Sequence, residues 1–387
     1  MRAMTLWLGV PMVAGIAAWA AIGPDLPSAR TSLPQPAERA TQAMTPSEDD
    51  AGAGAGAGAP AATTKPERLH LRAVGDVMMG TLFPANHLPE DDGASMLEPV
   101  TPWLKDADVT FANLEGPLCD EGITTKCGPR STACYAFRSP QRYAKHLVAA
   151  GVDVVSTANN HSGDFGEACR RTTEATLDEA GIRWSGPAGS IATVDVHGAK
   201  LAVVAFHANA ECNNLLDPVG ARAIVERAAQ THDWTVVSFH GGAEGSDQTH
   251  VPDRMEIFYG ESRGHLRAFA RNVIAAGADL VIGHGPHVPR GLEVVDGHLV
   301  AYSLGNFATW REFNLSGPLG MAPILDVVID KDGKFVEGAI LSTLQTGNGG
   351  PKPDDARNAA KLMRSLSEAD FPNTAPAFLD DGTIRPR

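Results

Sequence analysis

Five apolar runs of strand length each break off into a cluster of polar residues, and this repeated pattern limits the fold more than any other feature of the chain. The runs are "LHLRAVGD" at 69–76, "DVTFANLEG" at 108–116, "GVDVVSTAN" at 151–159, "WTVVSFHGG" at 234–242 and "DLVIGHGPH" at 279–287. Short continuous apolar runs bounded by turn signals read as strands buried on both faces. Between them the pattern predicts helices at 139–150, 164–180, 219–231 and 260–277, three of them handing over to the next strand through Gly151, Gly181 and Gly277. Strand then helix, repeated, is the signature of an α/β fold.

Hairpins are mixed with these crossovers. "TVDVHGAKLAVVAF" turns at His197-Gly198, "GLEVVDGHLVAYSLGNF" at Asp296-Gly297 and "LDVVIDKDGKFVEGAILS" at Asp332-Gly333, dipeptides suited to tight hairpin turns. Two sheets with helices outside them satisfy both patterns. The flanks differ in texture. Residues 1–23 carry Arg2 and the apolar stretch Met4–Gly23, an export signal that is either cleaved or kept as a membrane anchor. Residues 24–66, with "AGAGAGAGAP", cannot bury enough apolar surface to offset their ordering entropy and read as a flexible tether. The folded part is expected at 67–345, followed by a polar tail at 346–387 with one helical patch near 355–368.

A net charge of −14 without a lysine or arginine cluster excludes nucleic acid as a partner and leaves no polybasic patch for anionic lipid. Of the five cysteines, Cys119, Cys127 and Cys134 fall in "CDEGITTKCGPRSTAC", while Cys169 and Cys212 stand apart. An exported chain favours disulfides, and zinc ligation by the first three lacks the usual short Cys-x-x-Cys pair. Five is odd, so one thiol is left over, and the connectivity is open.

Ligands of α/β sheets bind outside the carboxyl ends of strands, so the polar clusters are the candidate site. They deliver Asp76, then Asn113 and Glu115, then Asn160, His161 and Asp164, then His240 and Glu244, then His284 and His287. Two divalent metals about 4 Å apart call for carboxylates, imidazoles and an amide oxygen. Asp76 and Glu115 supply the first, His240, His284 and His287 the second, and Asn160 the third. Without thiolate the set suits Mn, Fe or Zn. His161, next to a ligand, is expected to face the substrate as a cation or general acid. Asn113, Asp164, Glu244, Ser303 and Asn306 are expected to support the site or touch substrate. His207 and the remaining histidines fit no motif and read as ordinary.

With those residues in hand, the order of motifs resembles the CapA family of capsule-synthesis proteins, within the metallophosphatase (calcineurin-like phosphoesterase) superfamily. The matching pieces are "GDVMMG" at 75–80, "ANLEGPL" at 112–118, "ANNHSGDFG" at 158–166, "FHGGAE" at 239–244, "AGADLVIGHGPHV" at 276–288 and "YSLGNF" at 302–307. The resemblance implies a four-layer α/β/β/α sandwich, metal ligands at Asp76, Glu115, Asn160, His240, His284 and His287, and a catalytic histidine at His161. It also implies a poly-gamma-glutamate capsule setting. A metal-dependent hydrolase acting on an anionic polymer or a phosphoester fits it, as does a non-catalytic component that tethers polymer or other capsule-synthesis membrane proteins. An exported phosphoesterase unconnected with capsule is the third reading. Met78 stands where the superfamily usually has a histidine, and Glu115 where it often has aspartate. Gly241, Gly245 and Gly285 replace bulkier residues, which predicts a cleft that is wider or binds a different group. The cysteine segment is an insertion, either a rim to the site or a remote staple.

Overall fold

The computed structural model describes residues 65–127 and 134–387. The segments read as export signal and tether, up to residue 64, lie outside the described residues, as does 128–133. Among the described residues no helix is long and apolar enough to cross a membrane.

The domain opens on β1 (Arg68–Met78) and passes a short helix, α1 (Thr101–Leu104), to β2 (Val109–Leu114). Helix α2 (Ala144–Ala150) then leads to β3 (Val154–Ser156), and α3 (Gly166–Glu179) to β4 (Arg183–Ser185). A hairpin of β5 (Ala192–Val196) and β6 (Ala199–His207) follows, with the short β7 (Asn213–Asn214) at its end. Next come α4 (Pro218–Thr231), β8 (Trp234–His240), the small hairpin β9 (Glu256–Phe258) and β10 (Glu261–Gly264), α5 (Leu266–Ala275) and β11 (Leu280–His284). The last third is β12 (Leu292–Val295), β13 (His298–Ala301), β14 (Asn306–Thr309), β15 (Ile324–Asp330), β16 (Phe335–Leu341), β17 (Thr343–Gln345), β18 (Pro351–Pro353), α6 (Asn358–Asp370), β19 (Ala377–Phe378) and β20 (Thr383–Arg385).

Two large mixed sheets result. The first runs β19-β20-β16-β15-β1-β2-β3-β4, with β14 alongside the end of β1, and the second runs β12-β13-β11-β8-β6-β5. Alternation along the strands shows how they stack. Leu69, Leu71, Phe111 and Val154 of the first sheet share one core with Leu201, Val203, Trp234, Val236 and Leu280 of the second, so the sheets meet face to face. The intervening residues Ala202, Val204, Val237 and Phe239 pack on α4 and α5, and Val74, Ala112, Leu114 and Val155 pack on α2 and α3. This is the expected α/β/β/α order of layers. Each fully buried large aliphatic or aromatic side chain contributes roughly 1.5–3 kcal/mol, which makes the inter-sheet layer the main source of stability.

Local chemistry explains the joints. Asp217 caps α4 by accepting from the N–H groups of Val219 and Gly220, with Pro218 in the first turn. Gly151 ends α2 in the left-handed conformation. At the β5–β6 and β12–β13 turns both central residues have positive φ, His197 with Gly198 and Asp296 with Gly297, as the tightest hairpins require.

Two expectations are corrected. The helix expected at 260–277 starts at Leu266, because Tyr259 and Gly260 both take positive φ and turn 256–264 into a hairpin. The stretch after Thr346 is not a separate tail. Ala359, Ala360 and Met363 of α6 lie in the inter-sheet core, and β20 pairs with β16 at the edge of the first sheet. The helical patch expected near 355–368 is α6, and the polar, proline-containing sequence around it hid the narrow apolar face that it buries.

Candidate metal centre

At the carboxyl ends of the strands the inward positions change from apolar to polar. Phe111 gives way to Asn113 and Glu115, Val236 to His240, and Ile282 to His284, all along the same inward-facing parity. Asp76 needs an added device. Val74 and Val77, an odd number apart, both lie on the helix-covered face, so β1 absorbs an extra residue there. Its register with β2 shifts between Ala73 and Asp76 accordingly. The bulge turns Asp76 inward. Gly75 is required beside it, because a Cβ there would fall 1.9 Å from the carbonyl oxygen of Gly305. That close approach lets the N–H of Asp76 donate to Gly305 at 2.9 Å and ties "GD" to "LGN".

Asp76, Glu115, His240 and His284 are fully buried. One ligand atom from each of Asp76, Glu115 and His240 lies within 4.8 Å of the others. His287 Nδ1 donates to Asp76 Oδ2 at 2.9 Å, and His284 Nδ1 stands 3.5 Å from Asp76 Oδ1. The Asn113 amide sits between the two carboxylates, donating to Asp76 Oδ1 at 2.8 Å and to Glu115 Oε2 at 2.7 Å. Glu115 Oε1, Asn160 Oδ1, His240 Nε2 and both ring nitrogens of His284 are buried without a hydrogen-bond partner among the described residues. Buried polar atoms are almost always paired. Glu115, His240 and His284, gathered around Asp76, leave carboxylate and imidazole atoms open, with one nitrogen per ring able to offer a lone pair, and match what a divalent cation takes, so the residues present fit such a group. His287 holds a left-handed φ of 62°, the kind of local strain found at functional sites.

The electrostatics follow from burial. Desolvation and the neighbouring Asp76 push Glu115 well above the carboxylate range. For Asp76 burial works upward, yet the imidazoles of His284 and His287 override it and hold the carboxyl far below its usual value. His287 is raised to about 9, burial being outweighed by its hydrogen bond to Asp76 and by the charges of Asp76 and Glu115. The folded-state value lies above the ordinary 6.5, so this contribution to stability is complete below about pH 6.5 and is lost as pH rises through 9. Thermal melts of metal-free protein are therefore expected to fall from pH 6.5 to 9, by an amount on the order of a few kcal/mol, and His287→Ala is expected to flatten the slope. A wild-type midpoint constant over that range removes the pairing.

His161 is buried beside this pocket. Its Nδ1–H donates to Asp164 Oδ2 at 2.7 Å, and desolvation lowers its pKa against the pull of Asp164. Asp164 in turn accepts from the N–H of Phe137 at 2.7 Å, and the Phe137 ring lies 4.2 Å from the imidazole. Glu244 is bound by Arg263 at 2.9 Å and has its other oxygen 3.9 Å from His287 Nε2. Asn306 stands in register with Asp76 and donates to Leu319, while Ser303 accepts from the N–H of Gly305 and shapes the turn.

Four features were not visible in the sequence as sites. Asn159, without a role in the motif reading, donates to Leu114 and Asn113 and accepts from the N–H of His161, locking two motifs together. Lys126 of the cysteine-rich segment reaches the Asn160 carbonyl at 3.0 Å, and it also contacts His161 Nδ1 and Asp164. The segment is thus a rim, held by disulfides Cys119–Cys169 and Cys127–Cys134, with Cys212 free and buried. Arg290, fully buried, forks onto Glu256 at 3.0 and 2.9 Å and fastens the loop after β8 to the loop after β11. His207, read as ordinary, lies with its ring 5.5 Å from that of His240. The wider cleft expected at Gly241 and Gly285 is also corrected. A Cβ on Gly241 would meet the Arg263 carbonyl at 2.7 Å and one on Gly285 the Gly241 carbonyl at 2.5 Å, so these glycines let two strand ends pack closely.

Comparison with known proteins comes from three directions. The profile of the family described as bacterial capsule synthesis protein PGA_cap matches residues 70–310. Capsule biosynthesis protein CapA of Bacillus anthracis is 26% identical over 265 residues, covering 62% of this chain and 60% of that protein. PGA biosynthesis protein CapA of Bacillus subtilis (strain 168) is 28% identical over 252 residues, covering 60% and 61%. The chain thus spans about three fifths of the length of these curated relatives. A solved structure of a putative 5′-nucleotidase from Staphylococcus aureus is 14% identical with a TM-score of 0.40, covering 77% of this chain and 58% of that one.

Proposed function

This chain belongs to the PGA_cap family of bacterial capsule synthesis proteins, and we propose that it is an exported, metal-dependent hydrolase with a two-metal pocket. Its substrate would be a capsule-type anionic polymer, such as poly-gamma-glutamate, or a phosphoester. The observation that carries this reading is the group of buried, partnerless ligand atoms on Glu115, Asn160, His240 and His284. A chain that needed the fold alone would fill these inward positions with apolar residues, because each unpaired buried polar group costs about 1–3 kcal/mol. Export is supported by the apolar stretch Met4–Gly23 behind Arg2.

Asp76, Glu115, Asn160, His240, His284 and His287 would hold the cations, with Mn, Fe or Zn suited to this N and O set. When bound, such ions polarise the scissile group and lower the pKa of water. The protein's own part is positional. Asn113 keeps the two carboxylates apart and aimed, and Asn159 sets the turn that presents Asn160 and His161. Asp164 accepts from Nδ1 of His161 and so fixes the tautomer, leaving Nε2 as the atom that takes or delivers a proton. Phe137 covers the ring and keeps water from it.

Metal analysis tests this directly. Protein purified without chelator and offered Mn is expected to hold close to two metal ions per chain, and Asp76→Ala or His284→Ala to lose them. Wild-type protein that remains free of metal sinks the hydrolase reading and leaves a polymer-binding role. A screen of phosphodiesters against gamma-glutamyl polymer then separates the two substrate classes.

A further inference from the structure

Three adjacent parallel strands of the second sheet end on a histidine at the same level. His284 of β11 pairs in register with His240 of β8, and His240 with His207 of β6. On each strand the histidine shares parity with residues that fill the inter-sheet core, Ile282, Val236 and Val203 among them. All three rings therefore leave the sheet on the inner side, spaced by the inter-strand distance of about 4.8 Å. His207 is only 5% exposed. The inward position before it, Ala205, packs on Ala158, which aligns His207 with the turn carrying Asn160 and His161.

The two nitrogens of this ring differ. Nδ1 accepts from the backbone N–H of Asn209 at 3.2 Å, so the neutral imidazole carries its proton on Nε2. Nε2 is buried and has no acceptor among the described residues. A metal ligand must offer a lone pair, and the lone pair of this ring is taken by Asn209. What His207 can offer is a hydrogen.

We propose that His207 is a substrate-contacting residue whose Nε2–H donates a hydrogen bond to an anionic oxygen of a ligand bound on the His161 side of His240. The inference rests on the metal-site reading above. It gives the third imidazole of the row a different task from the other two, holding ligand where they hold cation. Phosphoryl and carboxylate oxygens share the chemistry required.

The test uses Mn-loaded protein, with the metal content of every sample counted. Inorganic phosphate and glutarate are titrated separately by calorimetry, to distinguish a phosphoryl from a carboxylate oxygen. The wild type is expected to bind one of the two, and His207→Leu to weaken that binding about 10- to 100-fold with metal content unchanged. His207→Gln, whose amide N–H can replace Nε2–H, is expected to recover most of it. Equal affinity in the leucine variant overturns the proposal, as does loss of metal from it, and so does a metal-loaded wild type that binds neither probe. A wild type without metal refutes the metal-site reading itself. Where the leucine variant does not fold, the ¹⁵N spectrum of the wild-type ring decides. An Nε2-protonated tautomer whose signal moves on adding the probe is expected, and an Nδ1-protonated ring overturns the assignment.

Discussion

His161→Ala is expected to lower hydrolysis by roughly 100- to 10,000-fold while leaving the metal content intact. The magnitude is that of a positioned proton-transfer group. The split between activity and metal content follows from the geometry, because the ring of His161 bonds to Asp164, lies tilted against Phe137 and makes no hydrogen bond to the ligand cluster among the described residues. The backbone of His161 does reach that cluster through Asn159, and the substitution leaves that bond in place. Asp164→Asn provides a graded control. It keeps the ring in place but removes the carboxylate that selects the tautomer, so a smaller fall in turnover is expected. The assay reads turnover of whichever class of substrate the screen identifies, alongside metal per chain. Activity indifferent to His161→Ala removes the residue from the mechanism. Loss of metal on that change would make it a ligand instead.

How much of this arrangement could be read from the chain depends on the kind of contact. Asp76, Glu115, Asn160, His240, His284 and His287 stood out because each follows an apolar run, and the fold brings the ends of those runs together. The bulge at Asp76 left no local trace, since "AVGDVM" reads equally well in either register. His207 escaped because it ends a run read as a hairpin strand, and only the pairing of β6 with β8 shows that it stands level with His240. The signal was present, a sixth apolar run ending in a histidine. Lys126 could not be found from sequence, because its approach to Asp164 depends on how two disulfides fold a glycine- and threonine-rich segment back. Gly241 and Gly285 were misread for a related reason. Absence of a side chain looks like empty space in a sequence, but here backbone fills it.

The two disulfides are expected to separate stability from site geometry. Cys119–Cys169 spans 50 residues and Cys127–Cys134 spans 7. Loop-closure entropy assigns about 4 kcal/mol to the first and about 2.4 kcal/mol to the second. The longer link joins the strand end carrying Glu115 to α3 and packs with Ala136 and Phe165. Its removal in Cys119→Ser with Cys169→Ser is expected to shift the urea midpoint by the larger amount. Cys127 is the residue next to Lys126, so Cys127→Ser with Cys134→Ser is expected to cost less stability yet free the ammonium from Asp164. Its activity should then fall as far as that of Lys126→Met, and combining the two changes should add little, because both act through the same contact. A short-link variant as unstable as the long-link one, or effects of Lys126→Met and the short link that add in full, would show that the segment braces the fold and leaves His161 alone.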